Sequence, residues 1–191
     1  MKKIIVLSVL VASFFTSNAQ TTYGIKGGLN IASVKIVLAE SGSTLPTSSK
    51  TSFVVGAFLN HPLTESLSIQ PEFLYQGMGF KLEGEELSSN YFAIPVLLRY
   101  SIAKKINLEA GPQIGFIMSA NAMGEDVKKT FNSTDFQFLF GGGYHFTKNI
   151  QASIRYGIGL TNNASDGNNS LFGNGTTIKN SALTFGLGYT F

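Results

Sequence analysis

The sequence contains no cysteine and no tryptophan, only two histidines, and few charged residues (13%). The absence of cysteine excludes disulfides, thiol chemistry, cysteine metal sites and a lipid-anchored cysteine. Beyond the N-terminal segment, no apolar run approaches the roughly 18 residues that indicate a transmembrane helix. If this chain crosses a membrane, the sequence therefore predicts that it does so without helices.

The N-terminal segment predicts export. Lys2 and Lys3 form a short basic start, residues 4–15 are apolar, and Ser17-Asn18-Ala19 supplies the small residues that a signal peptidase reads. An apolar run of 12 residues is too short for a membrane anchor, which needs about 20. We expect a cleaved signal peptide over residues 1–19 and one domain over residues 20–191.

Cleavage changes the charge of the chain. Lysine and arginine fall from 14 to 12 against 11 acidic residues, so the net charge drops from +3 to +1. No basic stripe remains, and we expect no nucleic-acid partner.

A period of two in hydrophobicity predicts β-strands throughout the mature chain. The most regular strand closes the sequence, where Leu183, Phe185, Leu187, Tyr189 and Phe191 alternate with small or polar residues. Three short turns (64–66, 103–105 and 147–149) alternate with four long polar loops (35–51, 81–90, 121–134 and 163–179). The eight predicted strands are 22–34, 52–63, 67–80, 91–102, 106–120, 135–146, 150–162 and 180–191. This rhythm is typical of outer-membrane barrels, which have short periplasmic turns and long extracellular loops.

One face of each predicted strand is bulky, apolar and uncharged. On the strand at 91–102, for example, this face carries Phe92, Val96, Leu98 and Tyr100. A Lys or Arg facing lipid at the bilayer midplane costs about 2–4 kcal/mol, which explains the missing charges. We expect these faces to contact lipid. The alternative of a soluble lipocalin-type barrel requires apolar side chains inside and a charged exterior, which the small, weakly charged opposite faces do not supply.

The opposite faces carry the charges that we expect inside the barrel. A turn centred on Lys104 sets Arg99 directly across from Glu109, where opposite charges attract. The predicted ionic layer comprises Lys26, Glu72, Arg99, Glu109 and Arg155. Because an eight-stranded barrel is only wide enough for side chains, such a layer predicts a closed lumen. The alternative is a wet lumen with solvated charges.

Several of these segments resemble a known family. Gly24–Asn30, Gln70–Tyr75, Phe92–Tyr100 and Arg155–Asn162 are similar to the "porin family" outer-membrane β-barrel domain of Bacteroidetes-type bacteria, also called PorT-like. The resemblance covers residues 20–191. It implies an OmpA- or OmpX-like barrel in the outer membrane more than it implies an activity, although some relatives take part in secretion or gliding.

Enzyme chemistry is not favoured. His61 and His145 both lie next to periplasmic turns, away from the rim that faces external substrates, and neither has Ser and Asp at a telling spacing. The acidic groups Glu83-Glu85-Glu86 and Glu125-Asp126 could bind divalent cations, but solvated loops are the simpler interpretation. We expect no catalytic residues, no cofactor and no metal.

The sequence therefore predicts an all-β, eight-stranded antiparallel transmembrane barrel in the cell outer membrane. We expect a monomeric structural or interaction protein with a charge-plugged lumen, in contact with outer-membrane lipid and lipopolysaccharide, which meets an external partner through its loops. Phe191 is the expected signal to the outer-membrane assembly machinery. The alternatives are a narrow channel for small solutes or ions and, less favoured, a lipid-modifying barrel enzyme.

Overall fold

The computed structural model describes residues 21–39, 41–82, 84–164 and 175–191, so the expected signal peptide lies outside the described residues. Eight long strands follow one another along the chain, together with two short strands and one 3₁₀ turn. The long strands are β1 (Thr22–Val37), β3 (Ser48–Pro62), β4 (Leu67–Leu82), β5 (Glu85–Ala103), β6 (Ile106–Ala122), β8 (Thr134–His145), β9 (Ile150–Gly159) and β10 (Thr177–Thr190). The short elements are β2 (Thr44–Leu45), β7 (Glu125–Asp126) and the 3₁₀ turn Lys128–Thr130.

Each long strand pairs antiparallel with its neighbours in the chain, and β10 pairs with β1 to close the ring. This closure confirms the predicted all-β, eight-stranded antiparallel barrel, and β2 and β7 only extend the edges of β1 and β6. A closed ring leaves no long strand with a free edge, so each of the eight long strands is hydrogen-bonded to a neighbour on both sides, as a barrel in lipid requires.

The β1–β10 seam depends on a glycine. A Cβ added at Gly28 would lie 1.9 Å from the carbonyl oxygen of Phe185 on β10, whereas one added at Gly27 would meet nothing closer than 3.9 Å. The seam can therefore close tightly at Gly28 only because this residue has no side chain.

The outward faces form an apolar belt, as predicted. On β5 the exposed residues run from Phe92 to Tyr100 at every second position, and β8 and β9 show the same alternation. The seam continues the belt, where Leu187 is 62% and Phe191 60% exposed. Such a band is what lipid hydrocarbon requires of a barrel exterior.

One predicted loop is wrong. Residues 81–90 were expected to form a long polar loop, but β4 continues to Leu82 and β5 begins at Glu85, so the two strands form a tight hairpin. Gly84 has a φ of 92°, the left-handed conformation that suits a turn. The polar side chains of this segment lie outside the apolar belt on extended strands, which is why their composition resembled that of a loop.

The interior is only partly polar, which corrects the expectation of a polar inner face. Towards the extracellular end, two connected apolar clusters fill the barrel, and Val127 and Phe131 from the β7–β8 connection pack against both. The buried members include Ala32, Met78, Tyr91, Ile117, Ala120 and Ala182 in one cluster, and Val34, Ile36, Phe80, Leu87, Ala164 and Ile178 in the other. The β7–β8 connection shields the inward-facing residues at this end of the barrel from water, which is why their side chains are apolar.

Within residues 21–39, 41–82, 84–164 and 175–191, no helix is long and apolar enough to cross a membrane.

Candidate functional site in the barrel lumen

Five charged residues on five different strands point into the lumen at one level. Their exposed fractions are 6% or less, and Glu72 is fully buried. The residues are Lys26 on β1, Glu72 on β4, Arg99 on β5, Glu109 on β6 and Arg155 on β9. The structure thus brings together every residue of the predicted ionic layer. We call this set the charged layer.

Arg155 is the centre of the charged layer. Its Nη1 donates to Glu72 Oε2 at 2.7 Å, and its Nη2 donates to Glu72 Oε1 at 2.8 Å. On the other side, its Nε donates to Glu109 Oε1, and its Nη2 also reaches Glu109 Oε2 at 3.2 Å. The guanidinium therefore ties β4 to β6 across the lumen, with the planar fork geometry that suits arginine better than lysine.

The other two cations each pair with one of these carboxylates. Lys26 Nζ lies 3.3 Å from Glu72 Oε2, and Arg99 Nε lies 3.4 Å from Glu109 Oε2. The backbone register sets Arg99 opposite Glu109, as the turn at Lys104 predicts. Three cations share two carboxylates, so the layer has a net charge of +1.

Neutral amides add further hydrogen bonds to the layer. Gln70 donates to Glu72 at 2.6 Å and accepts from Arg99 Nη1 at 2.5 Å. Arg99 Nη2 donates to Gln151 at 2.8 Å, and Arg99 Nε reaches Asn107 Oδ1 at 3.3 Å. A buried charge is tolerable only when it is paired, and every charge of the layer has an oppositely charged partner. The buried Nδ2 of Asn107 has no hydrogen-bond partner in the described part of the chain.

A further acidic residue in the lumen lies on the side of the charged layer that is away from the short turns, and it is not among the site residues predicted from the sequence. Asp135 is 2% exposed and accepts hydrogen bonds from Gln137 Nε2 at 2.7 Å, Asn180 Nδ2 at 2.9 Å and Thr161 Oγ1 at 3.3 Å. It forms no ion pair within the described part of the chain. The alternation on β8, where Phe136 and Phe138 face outward, already placed Asp135 on the inner face.

The charged layer separates two cavities of different size. On the extracellular side, a void of about 20 Å³ touches Lys26, Asn30, Gln137 and Arg155, which is room for about one water molecule. On the side of the short turns, a polar cavity of about 190 Å³ touches Arg99 and is open at the barrel end.

The two histidines have different surroundings. His145 Nε2 lies 3.5 Å from Arg99 Nη2 at the edge of the larger cavity, and His61 is buried with Nδ1 2.9 Å from Thr21 Oγ1. Among the residues that the structure describes, no group of three or more His, Asp or Glu side chains could hold a metal ion.

The acidic segments have separate surroundings. Glu86 pairs with Lys50 at 2.7 Å and with Lys81 at 3.7 Å, while Glu83 lies outside the described residues. Glu125 and Asp126 are exposed on β7. Glu86 lies beyond the apolar belt, and the Lys50 ammonium that donates a hydrogen bond to it lowers the pKa of Glu86 below its ordinary value.

Phe191 lies at the closed seam. Its backbone N–H donates to the carbonyl of Tyr23 at 3.0 Å, and its ring lies 5.5 Å from the rings of Tyr23 and Tyr189. The side chain is exposed on the lipid face next to the short turns.

Comparison with known proteins agrees with this architecture. The family model described as "Outer membrane protein beta-barrel domain" matches residues 17–165. Curated proteins give no match.

Three solved barrels share the fold. Neisserial surface protein A is 13% identical with a TM-score of 0.57, covering 90% of this chain and 99% of its own. Ail, the attachment invasion locus protein of Yersinia pestis, solved with the heparin analogue sucrose octasulfate, is 14% identical with a TM-score of 0.51, covering 90% and 99%. OprG from Pseudomonas aeruginosa is 13% identical with a TM-score of 0.50, covering 91% and 97%. At such identities the likeness shows the fold alone.

Proposed function

We propose that this chain, which belongs to the outer membrane protein beta-barrel domain family and resides in the cell outer membrane, is a structural or interaction barrel. Its lumen is closed by charged side chains, and it acts through its extracellular segments. The observation that carries the closure is the double bridge of Arg155 to Glu72 and Glu109. The interaction role is supported by the packed extracellular end of the barrel.

The bridge opposes conduction for an energetic reason. A solute that passes the charged layer has to separate Arg155 from carboxylates that are 0% and 3% exposed. Breaking one partner away from a buried pair costs about 3–5 kcal/mol, and here two pairs share one guanidinium. Open porins instead use about 16–18 strands to leave a water-filled channel.

The extracellular end supports an interaction role because it has a packed core of its own. The strands β1, β3, β4 and β5 continue past the apolar belt, and Ile36, Phe80 and Leu87 are buried between them. On the outer wall, Lys50 spans from β3 to Glu86 on β5. A wall with its own core holds the connecting segments in fixed positions, as a binding surface requires.

One observation favours a second candidate, a narrow channel. The 190 Å³ polar cavity gives small solutes an entrance from the side of the short turns. A channel would also need a path through the charged layer, where the void beyond holds only about 20 Å³. A lipid-modifying enzyme has less support, because His145 contacts Arg99 rather than a Ser and Asp pair.

Conductance in a planar bilayer tests the closure. We expect the wild-type barrel to give no stable openings. A variant with alanine at all five positions of the charged layer is expected to conduct. Stable nanosiemens openings of the wild type would overturn the closed-barrel proposal and favour the channel.

A deletion strain tests the interaction role. We expect the strain to lose binding to an external surface or partner, while its uptake of small solutes stays unchanged. Complementation with residues 165–174 replaced by a Gly/Ser segment of equal length, which leaves the buried Ala164 and Ile178 and the whole of β10 intact, should restore assembly but not binding. Reduced solute uptake with unchanged binding would support the channel instead.

Finer assignments belong to the same proposal. The segments Gln70–Tyr75 and Phe92–Tyr100 support a Bacteroidetes-type member of the family, and Phe191 is proposed as the residue that the assembly machinery recognises. Its exposed ring at the end of the last strand supports that role. Contact with lipopolysaccharide and a monomeric state complete the proposal.

A further inference from the structure

Three lysines on two neighbouring turns lie beside a gap in the lipid-facing surface. Lys104 and Lys105 form the β5–β6 turn, and Lys148 lies in the β8–β9 turn. Because β6 pairs with β8, the two turns are adjacent, and the His145 N–H donates to the Lys105 carbonyl at 2.8 Å. We call this part of the surface the basic rim.

The basic rim has no acidic partner in the described part of the chain. None of its three ammonium groups forms an ion pair there, and all three residues are exposed. The remaining short turn, between β3 and β4, contains Glu65 and no lysine. The positive charge is thus confined to one side of this end of the barrel.

The basic rim surrounds a hollow of about 440 Å³ whose walls also include Ile106 and Phe146. Ile106 also lines a second, apolar hollow of about 390 Å³ that runs up the lipid face. The charged hollow and the apolar hollow are therefore neighbours on either side of Ile106. A site of this kind suits a molecule with an anionic head and an apolar tail.

The apolar hollow exists because the lipid face lacks two bulky side chains. The register sets Gly142 between Leu108 on β6 and Ile154 on β9. The next outward position across the same strands is Ala152, opposite Tyr144. Small residues here leave a furrow between large ones, and the apolar side chains that line it can make dispersion contacts with an acyl chain.

We propose that the basic rim and the furrow bind one anionic phospholipid of the periplasmic leaflet. Its phosphate lies against Lys104, Lys105 and Lys148, and an acyl chain lies along Gly142 and Ala152. Short turns face the periplasm in outer-membrane barrels, which places this site in the inner leaflet of the membrane, where phospholipid headgroups lie. Charge selects the headgroup, since lysines near a membrane surface attract anionic lipid.

Native mass spectrometry of the full barrel in detergent tests the headgroup preference. Phosphatidylglycerol and phosphatidylethanolamine with the same acyl chains are added in equal amounts. Each lysine near an anionic lipid contributes about five-fold to affinity, so we expect the wild type to prefer phosphatidylglycerol by about tenfold or more. Equal binding of the two lipids by the wild type would overturn the proposal.

Charge variants locate the preference. The preference for phosphatidylglycerol over phosphatidylethanolamine should be lost in the triple variant Lys104→Gln, Lys105→Gln and Lys148→Gln. The matched control removes two exposed lysines at the other end of the barrel, Lys128→Gln and Lys129→Gln, and should retain it. A control that loses the preference equally would show a general charge effect. Salt added to the wild type gives a second measurement, and a preference that survives 1 M NaCl contradicts the electrostatic argument.

Filling the furrow tests the acyl chain. Ala152→Phe should lower the affinity of the barrel for both lipids by a similar factor, without changing the preference between them. Ala57→Phe is the matched control, because Ala57 is an exposed alanine on the lipid face of β3, paired with Phe73 on β4. Equal effects of the two substitutions would overturn the placement of an acyl chain in the furrow. Displacement of the lipid by soluble glycerol phosphate at matched concentration would overturn it as well.

Discussion

Replacing Glu72 by glutamine removes a carboxylate that two cations share inside the barrel. Glu72 is 0% exposed, accepts from Arg155 at 2.7 and 2.8 Å, and pairs with Lys26 at 3.3 Å. In the variant, three cations would share the single carboxylate of Glu109. Removing one partner of a buried ion pair typically costs about 3–5 kcal/mol. We expect the free energy of unfolding of Glu72→Gln to fall by that amount.

A second substitution should recover part of this loss. Lys26→Met together with Glu72→Gln leaves two cations and one carboxylate, which restores the net charge of +1. The two residues are in contact, so their effects should not add, and a coupling of about 0.5–3 kcal/mol is expected. The double variant should therefore be less destabilised than the two single variants combined.

The measurement is urea-induced unfolding in lipid vesicles, followed by far-ultraviolet circular dichroism, since the chain has no tryptophan for fluorescence. Glu65→Gln in the exposed β3–β4 turn is the control and should cost less than about 0.5 kcal/mol. If Glu72→Gln costs no more than Glu65→Gln, water solvates the lumen carboxylates and the ion-paired plug is wrong.

Three further predictions follow from other parts of the barrel. Gly28→Ala should destabilise the seam by about 1–3 kcal/mol, while Gly27→Ala should have little effect, as measured by the urea midpoint; equal effects would contradict the close approach at Gly28. Deletion of Phe191 should reduce the heat-modifiable barrel in the outer membrane before it alters any activity, and normal assembly would refute its role as a signal. Lys50→Gln should raise the pKa of Glu86 in an NMR titration, because it removes the hydrogen bond that lowers this pKa. The stabilisation from the Lys50–Glu86 contact is fully present above the ordinary pKa of glutamate and is lost as the pH falls through the lowered pKa of Glu86. If Lys50→Gln leaves the pKa of Glu86 unchanged, the contact does not form in solution.

The strand count and both faces of the barrel could be predicted because each depends on local alternation. Phe92 and Tyr100 share the outward face of β5 for the same reason that Arg99 faces inward, a period of two. The pairing of Arg99 with Glu109 was equally accessible, since one tight turn sets the register of a hairpin.

Composition is misleading where a residue's position along its strand decides its environment. The residues of 85–90 looked like a loop because they are polar, yet they form a strand that has left the apolar belt. Asp135 was passed over because the neighbouring Phe136 and Phe138 defined the strand by its outward face. Ile36 falls in the predicted loop 35–51, yet it lies on β1 and is buried in the same apolar cluster as Val34. Val127 and Phe131, which pack against this cluster, are distant in the chain.

An antiparallel barrel with lipid outside and charge inside can be predicted from local sequence, because side chains alternate between two faces along each strand. The bridge from Arg155 to Glu72 on β4 and Glu109 on β6 cannot be predicted in this way. That contact joins residues from three strands across the lumen, and its geometry depends on the closure and diameter of the whole ring. The basic rim likewise needs strand pairing, because the pairing of β6 with β8 brings the turn that contains Lys104 and Lys105 next to the turn that contains Lys148.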